Sequence, residues 1–198
     1  MKKQLHVIST GRQPTEQVVA IASRIHPYVD AIHLREKEKT AKELAEMIEA
    51  LLSNGVPKEK LIVNDRIDVA IAYGVKGVQL AYHSLPVQKV KASFPALFVG
   101  CSVHSLSEAK KAENSGADYC LYGHVFPTEC KAGVLPRGVE TLAQIAVAVR
   151  IPVIAIGGIQ PHHVPSIWEA GADGIAVMSG VFLAEDPLAQ VKSYAQMM

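Results

Sequence analysis

The chain lacks what would tie it to a nucleic acid, a membrane or an oxidising compartment. Its 20 lysines and arginines stand against 19 aspartates and glutamates. There is thus no cationic excess for a polyanion, and no nucleic acid is expected as a partner. No apolar run approaches the ~20 residues that cross a bilayer, so no membrane partner is expected either. The N-terminal stretch has basic residues, but its apolar part is too short for a signal peptide. Three cysteines, an odd number without a Cys-x-x-Cys pair, make no disulfide framework. A cytoplasmic location follows as the expectation. The 14 glycines and 11 prolines are scattered rather than gathered into a linker, so residues 1–198 read as a single domain.

What the chain does have is apolar content arranged in a repeated order. At 49% hydrophobic residues over 198 positions it can bury one substantial core. β-rich and helical segments alternate nearly throughout. Strands are expected at residues 5–9, 30–35, 61–63, 77–80, 97–101 and 119–122. Helices are expected at 14–25, 40–52, 85–92, 105–115 and 142–149, with a further one opening at Asp65-Arg66. In the second helix Leu44, Ile48 and Leu51 form an apolar stripe, and Thr40 with Glu43 is spaced as a capping box. Ser105 and Glu108 repeat that spacing.

The most informative stretch is Ile151 to Ile159, answered by Gly171 to Gly180. Each has an apolar β-rich run that ends in small residues, Gly157-Gly158 in the first and Ser179-Gly180 in the second. The segment 161–170 between them reads as a helix. Two neighbouring strand-to-loop units of this kind expose backbone N–H groups that cradle a phosphate in (β/α)8 barrels. An internal echo supports that fold. Gly-Ala-Asp separates a helix end from a strand at Gly116 to Asp118 and again at Gly171 to Asp173. About eight such units can be counted, which favours a closed α/β barrel of the (β/α)8 TIM type over an open sheet. At ~200 residues it would be a small one.

Chemistry in such a barrel sits just after each strand. Arg35 and Lys37 there suit an anionic substrate, with the planar fork of Arg35 matched to a carboxylate. Glu36, Glu38 and Lys39 beside them read as solvent-facing, and Asp65 reads equally as a helix N-cap and as a site residue. His124 follows a glycine at a strand end, where a histidine can serve in acid–base chemistry or simply satisfy a loop carbonyl.

Several motifs, in order along essentially the whole chain, resemble the thiamin phosphate synthase superfamily. They are His33-Leu-Arg-Glu-Lys37, Val63-Asn-Asp-Arg66, Gly100-Cys-Ser-Val-His104, Tyr119 to Phe126, Ala155-Ile-Gly-Gly-Ile159 and Gly174 to Ser179. Within it, Cys101 to Leu106 and Gly123-His-Val-Phe126 are most similar to the TenI branch. The synthase pattern has a magnesium-holding aspartate that Asp65 matches and a second one where this chain has Ser84. Its Thr-x-Thr-Lys run appears as Thr128-Glu-Cys-Lys131.

On these departures the resemblance implies a thiazole tautomerase. This is an isomerase of thiamin biosynthesis that aromatises a carboxythiazole phosphate without metal or cofactor. It implies His124 as the catalytic base and acid. It implies substrate contacts from Arg35, Lys37, Asn64, Ser102, Thr128, Cys130 and Lys131. Phosphate would be held by Gly157, Gly158, Met178, Ser179 and Gly180. The expected partner is a small phosphorylated thiazole, and a homo-oligomer is compatible with the apolar helix faces. The alternatives are a synthase-like transferase, which joins a pyrimidine pyrophosphate to a thiazole phosphate, and a non-catalytic regulatory relative.

Overall fold

The computed structural model describes residues 2–131 and 133–198. Eight strands, β1 (Gln4–Ile8), β2 (Ala31–Leu34), β3 (Leu61–Asn64), β4 (Gly77–Leu80), β5 (Phe98–Val103), β6 (Tyr119–Gly123), β7 (Val153–Ile156) and β8 (Gly174–Val177), close into one barrel. Every pairing is parallel and follows chain order, and β8 returns to β1 with Val7 opposite Val177. The architecture is a (β/α)8 TIM barrel, as the repeated units predict.

The helices wrap the outside: α1 (Thr15–Ile25), α2 (Ala41–Ser53), α3 (Ile67–Tyr73), α4 (Val87–Ser93), α5 (Leu106–Asn114), α6 (Gly138–Ala148), α7 (Val164–Glu169), α8 (Ser179–Phe182) and α9 (Pro187–Ala195). The larger apolar cluster fills the space between sheet and helices, for example Leu44, Ile48 and Leu51 of α2 with Leu34 and Val63. A smaller cluster, including Ile8, Ile62, Leu121 and Ile154, fills the barrel itself. Alternation along each strand divides the side chains between the two.

The aspartates of the Gly-Ala-Asp echo clamp consecutive strands together. Asp118 donates its N–H to Val99 O and accepts from Val99 N through its carboxylate, at 2.8 and 2.7 Å. Asp173 does the same to Val153, with both contacts at 2.9 Å. Asp30 does so to Leu5 at 2.8 and 2.9 Å. Each thus satisfies both backbone groups of one residue at the start of the preceding strand.

Local details depart from the sequence reading in informative ways. The Thr40–Glu43 capping box is present. At α5 only half of one forms: Ser105 Oγ accepts from Glu108 N, while the Glu108 carboxylate turns to the backbone N–H of His104. The α6 helix begins at Gly138, ahead of the apolar stripe that starts at Leu142; its first turn holds a single apolar residue, Val139, packed against the core beside exposed Glu140. The α9 helix was not expected at all. Its cue is Asp186-Pro187: the carboxylate accepts from Leu188 N and Ala189 N, and proline suits the first turn. Asp65 is not the cap of α3. Arg66 holds that position, and Asp65 sits in the left-handed region with φ 64°. Among the described residues no helix is long and apolar enough to cross a membrane.

Candidate functional site

The barrel is plugged at the end where its strands begin. Phe98 and Tyr119, the first residues of β5 and β6, stack with centroids 5.2 Å apart, and His6 meets the Tyr119 ring edge-on at 5.8 Å. Buried His6 and His33 are joined through Nδ1 and Nε2 at 3.0 Å. His6 Nε2 donates to the Gln4 amide oxygen at 2.9 Å, so its Nδ1 accepts and His33 Nε2 is the donor. Burial holds both imidazoles neutral, with Lys76 adding to the effect. His6 is lowered to about 3, and His33 also falls well below the usual histidine value.

At the opposite rim the loops surround one cleft of about 1070 Å³. Its floor is Ile8, Gln79, Leu121, Ile156 and Ala176, side chains that point up the barrel axis. One wall is cationic: Arg35, Lys37 and Lys39 follow β2, and Lys131 lies across from them in the loop after β6. Glu36 is not solvent-facing as expected. It is buried, and its carboxylate accepts from Ser9 Oγ at 2.5 Å while Ser9 Oγ accepts from Arg35 N. Glu36 therefore shapes the backbone that presents Arg35 and Lys37.

The other wall is glycine-rich. Gly157 and Gly158 follow β7 with φ 104° and 64°, conformations that side chains resist. A Cβ on Gly157 would overlap His124, and one on Gly158 would overlap the carbonyls of Phe126 and Pro127. These glycines let the β6 and β7 loops touch. Met178, Ser179 and Gly180 follow β8 and open α8. Its first internal hydrogen bond runs from Val181 N to Met178 O, so the N–H groups of Ser179 and Gly180 precede the helical ladder. Tyr194 of α9 reaches in between the two loops. Its hydroxyl donates to Ile159 O at 2.8 Å and lies against Gly180.

Between the walls stand the polar groups of β3 to β6. The Asn64 Oδ1 is buried without a hydrogen-bond partner. The Asp65 carboxylate faces His83 Nε2 at 3.5 Å. Arg66 is occupied by a two-pronged ion pair with Asp68 at 2.9 and 2.5 Å. Ser84 Oγ accepts from Ala81 N at 2.8 Å and so closes the β4 loop. Ser102 lies within β5, one residue before its end, and receives the Gln79 amide. Thr128, Cys130 and Lys131 form the rim of the β6 loop, where Thr128 Oγ1 accepts from Cys130 N. His124 is buried under Gly157, and its Nε2 lies 3.2 Å from Val134 O. A carbonyl only accepts, so Nε2 carries the proton.

All thirteen residues singled out from the sequence therefore border this one cleft. Sequence reasoning missed Glu36 and Tyr194 as parts of its construction. The Asp186-Pro187 cap was the available signal for Tyr194. Glu36 gave none, because nothing in an Arg-Glu-Lys-Glu-Lys run distinguishes the buried carboxylate.

The profile of the family described as thiamine monophosphate synthase matches residues 5–181. The thiamine-phosphate synthase of Pyrococcus abyssi is 40% identical over 186 residues, 93% of this chain and 89% of the relative. That of Chlorobium luteolum is 42% identical over 170 residues, 84% of this chain and 80% of the relative. A thiamine phosphate pyrophosphorylase from Pyrococcus furiosus superposes with a TM-score of 0.83 at 34% identity, covering 98% and 94% of the two chains. A 3-hexulose-6-phosphate synthase, at 19% identity and a TM-score of 0.74, shares the fold.

These relatives overturn the isomerase reading, since they are named synthases, which are transferases. That reading leaned on His124 and on the missing carboxylate at Ser84. Neither is decisive physically. His124 is engaged with the Val134 carbonyl, and a magnesium ion needs only one or two protein carboxylates beside substrate phosphates. The acid–base role given to His124 was part of the isomerase reading and goes with it. From the match over residues 5–181, the identity to the synthases and the closed barrel, the chain belongs to the thiamine monophosphate synthase family.

Proposed function

We propose that the chain is a transferase of the thiamine-phosphate synthase kind, joining a pyrimidine pyrophosphate to a thiazole phosphate and releasing pyrophosphate. The observation that carries this reading is a single cleft with anion-holding features on two facing walls. Gly157, Gly158, Ser179 and Gly180 offer backbone N–H groups on one side. Arg35, Lys37 and Lys39 offer cationic side chains on the other, and Lys131 adds a cation from the β6 loop across the cleft from them. A volume of about 1070 Å³ is at the top of the range for one small ligand, which suits two bound together.

In this reading the glycine loops take the thiazole phosphate, with Tyr194 standing between them. The cationic wall takes the pyrophosphate and favours its departure by neutralising charge that develops as its bond to the pyrimidine breaks. Asn64 and Ser102 bind polar atoms between the two ends. His124 sets the floor beneath Gly157 and fixes the β6 loop through Val134.

The synthase pattern implies magnesium, and the residues present fit it. Asp65 supplies a carboxylate at the cleft, and the unpartnered Asn64 Oδ1 is a second hard oxygen donor. Asp65 would hold the ion. Ser84 would contribute a neutral hydroxyl in place of the second carboxylate. When bound, magnesium would stabilise the departing pyrophosphate as a Lewis acid.

The test is a pyrophosphate-release assay with both substrates, with and without magnesium. Release that needs both substrates and the ion is expected. Binding of both without release would overturn the proposal.

A further inference from the structure

Three side chains link the plugged end of the barrel to the wall of the cleft. The Tyr119 hydroxyl lies 2.5 Å from Gln79 Oε1, and Gln79 Nε2 lies 3.0 Å from Ser102 Oγ. Strand β5 makes room for this path. Gly100 is in register with Gln79 on one side and Tyr119 on the other. A Cβ there would overlap both the Tyr119 ring and the Gln79 amide.

The direction of the chain is fixed at each step. Tyr119 is fully buried, and burial holds its phenol well above the usual tyrosine value, so the hydroxyl keeps its proton. It donates to an amide oxygen, which only accepts. The opposite end of the amide also lies 3.4 Å from Leu80 O, another pure acceptor, so that end is the NH2 group. Its N–H therefore points at Ser102 Oγ and occupies a lone pair there. The Ser102 hydroxyl proton is left over. Ser102 is half-buried and borders the cleft.

We infer that Tyr119 and Gln79 are positioning residues that fix Ser102 as a hydrogen-bond donor to an acceptor atom of the bound substrate, such as a ring nitrogen or a phosphate oxygen. Tyr119 acts from the far end of the barrel and touches no ligand. Without it the amide could turn over, offer its oxygen to Ser102, and draw the serine proton away from the cleft.

The test has two arms. The first needs no activity: proton exchange of the Gln79 side-chain amide is followed by NMR in the ligand-free protein and in Tyr119→Phe. Exchange about ten-fold faster in the variant is expected, the size of one neutral hydrogen bond, with the backbone amides of β4 and β5 keeping their protection. Unchanged Gln79 exchange, or loss of backbone protection as well, would overturn the inference.

The second arm rests on the transferase reading and measures kcat/KM. Tyr119→Phe should lose about ten-fold, and Ser102→Ala at least as much. Tyr119→Phe added to Ser102→Ala should cost nothing further, whereas additive losses would refute the coupling. Gln79→Glu, which offers oxygens to both partners, should reverse the serine and mimic Ser102→Ala. If the unaltered protein releases no pyrophosphate, the transferase reading fails and the exchange arm still decides on the positioning residues.

Discussion

Tyr194 donates its hydroxyl proton to Ile159 O across 2.8 Å, joining the last helix to the loop that follows β7. The hydroxyl stands between the two glycine loops, bonded to the β7 loop and near enough to Gly180 that a side-chain carbon there would touch it. Tyr194→Phe keeps the ring and removes the bond. It should cost about 1 kcal/mol of stability and weaken a thiazole phosphate several-fold. Calorimetry with that ligand checks it, and unchanged affinity would detach Tyr194 from phosphate binding.

Gly157 has no room for a side chain. A Cβ would collide with His124, and φ 104° is strained for any other residue. Gly157→Ala should therefore cost about 3 kcal/mol or more, read from denaturant midpoints. It should also abolish measurable binding of the thiazole phosphate. A stable variant with normal affinity would show that the loop does not need its present path.

Asp65 holds a left-handed backbone that asparagine also tolerates. Asp65→Asn should keep the fold while removing the charge. Magnesium-dependent pyrophosphate release should fall by about 100-fold, the scale of losing one preorganised electrostatic group. An asparagine variant with full turnover would sink the role assigned to this carboxylate.

Ser84 already accepts Ala81 N at 2.8 Å, a role an aspartate oxygen also fills. Ser84→Asp should thus fit the loop and add a second carboxylate. The magnesium concentration for half-maximal pyrophosphate release should drop about ten-fold, as ligand charge sets affinity. No change in that titration would mean that the ion does not reach this loop.

The histidine pair predicts a pH dependence of stability. His6 titrates at about 3 in the fold against 6.5 for an unperturbed histidine, so the unfolded chain binds more protons between those values. Stability contributed by neutral His6 is complete above pH 6.5 and is lost as pH falls toward the folded value; His33 adds in the same direction. Thermal midpoints measured from neutrality downward should decline, and His6→Gln should flatten that decline. A variant as acid-sensitive as the parent would place the effect elsewhere.

The barrel was legible because its repeat is written locally. Glycine stops, Gly-Ala-Asp turns and short apolar strands recur where each unit closes, and the aspartates prove to be clamps between neighbouring strands. The cleft was legible in its loops, since Gly157, Gly158 and the residues after β2 and β6 declare themselves by type. Glu36, Tyr119 and Tyr194 were not. Each acts through a partner 27 to 40 positions away, Glu36 through Ser9, Tyr119 through Gln79 and Tyr194 through Ile159. Such pairing appears only on folding. The reaction itself turned on single substitutions at Ser84 and Cys130, and those misled, because one missing carboxylate does not by itself remove a magnesium site.

The aromatic and histidine plug formed by Phe98, Tyr119, His6 and His33 has a consequence for traffic. With that end shut, everything that enters the barrel leaves by the same mouth. On the transferase reading both substrates and both products would pass through that one opening, so the packing below the site confines all exchange to the rim built by the loops.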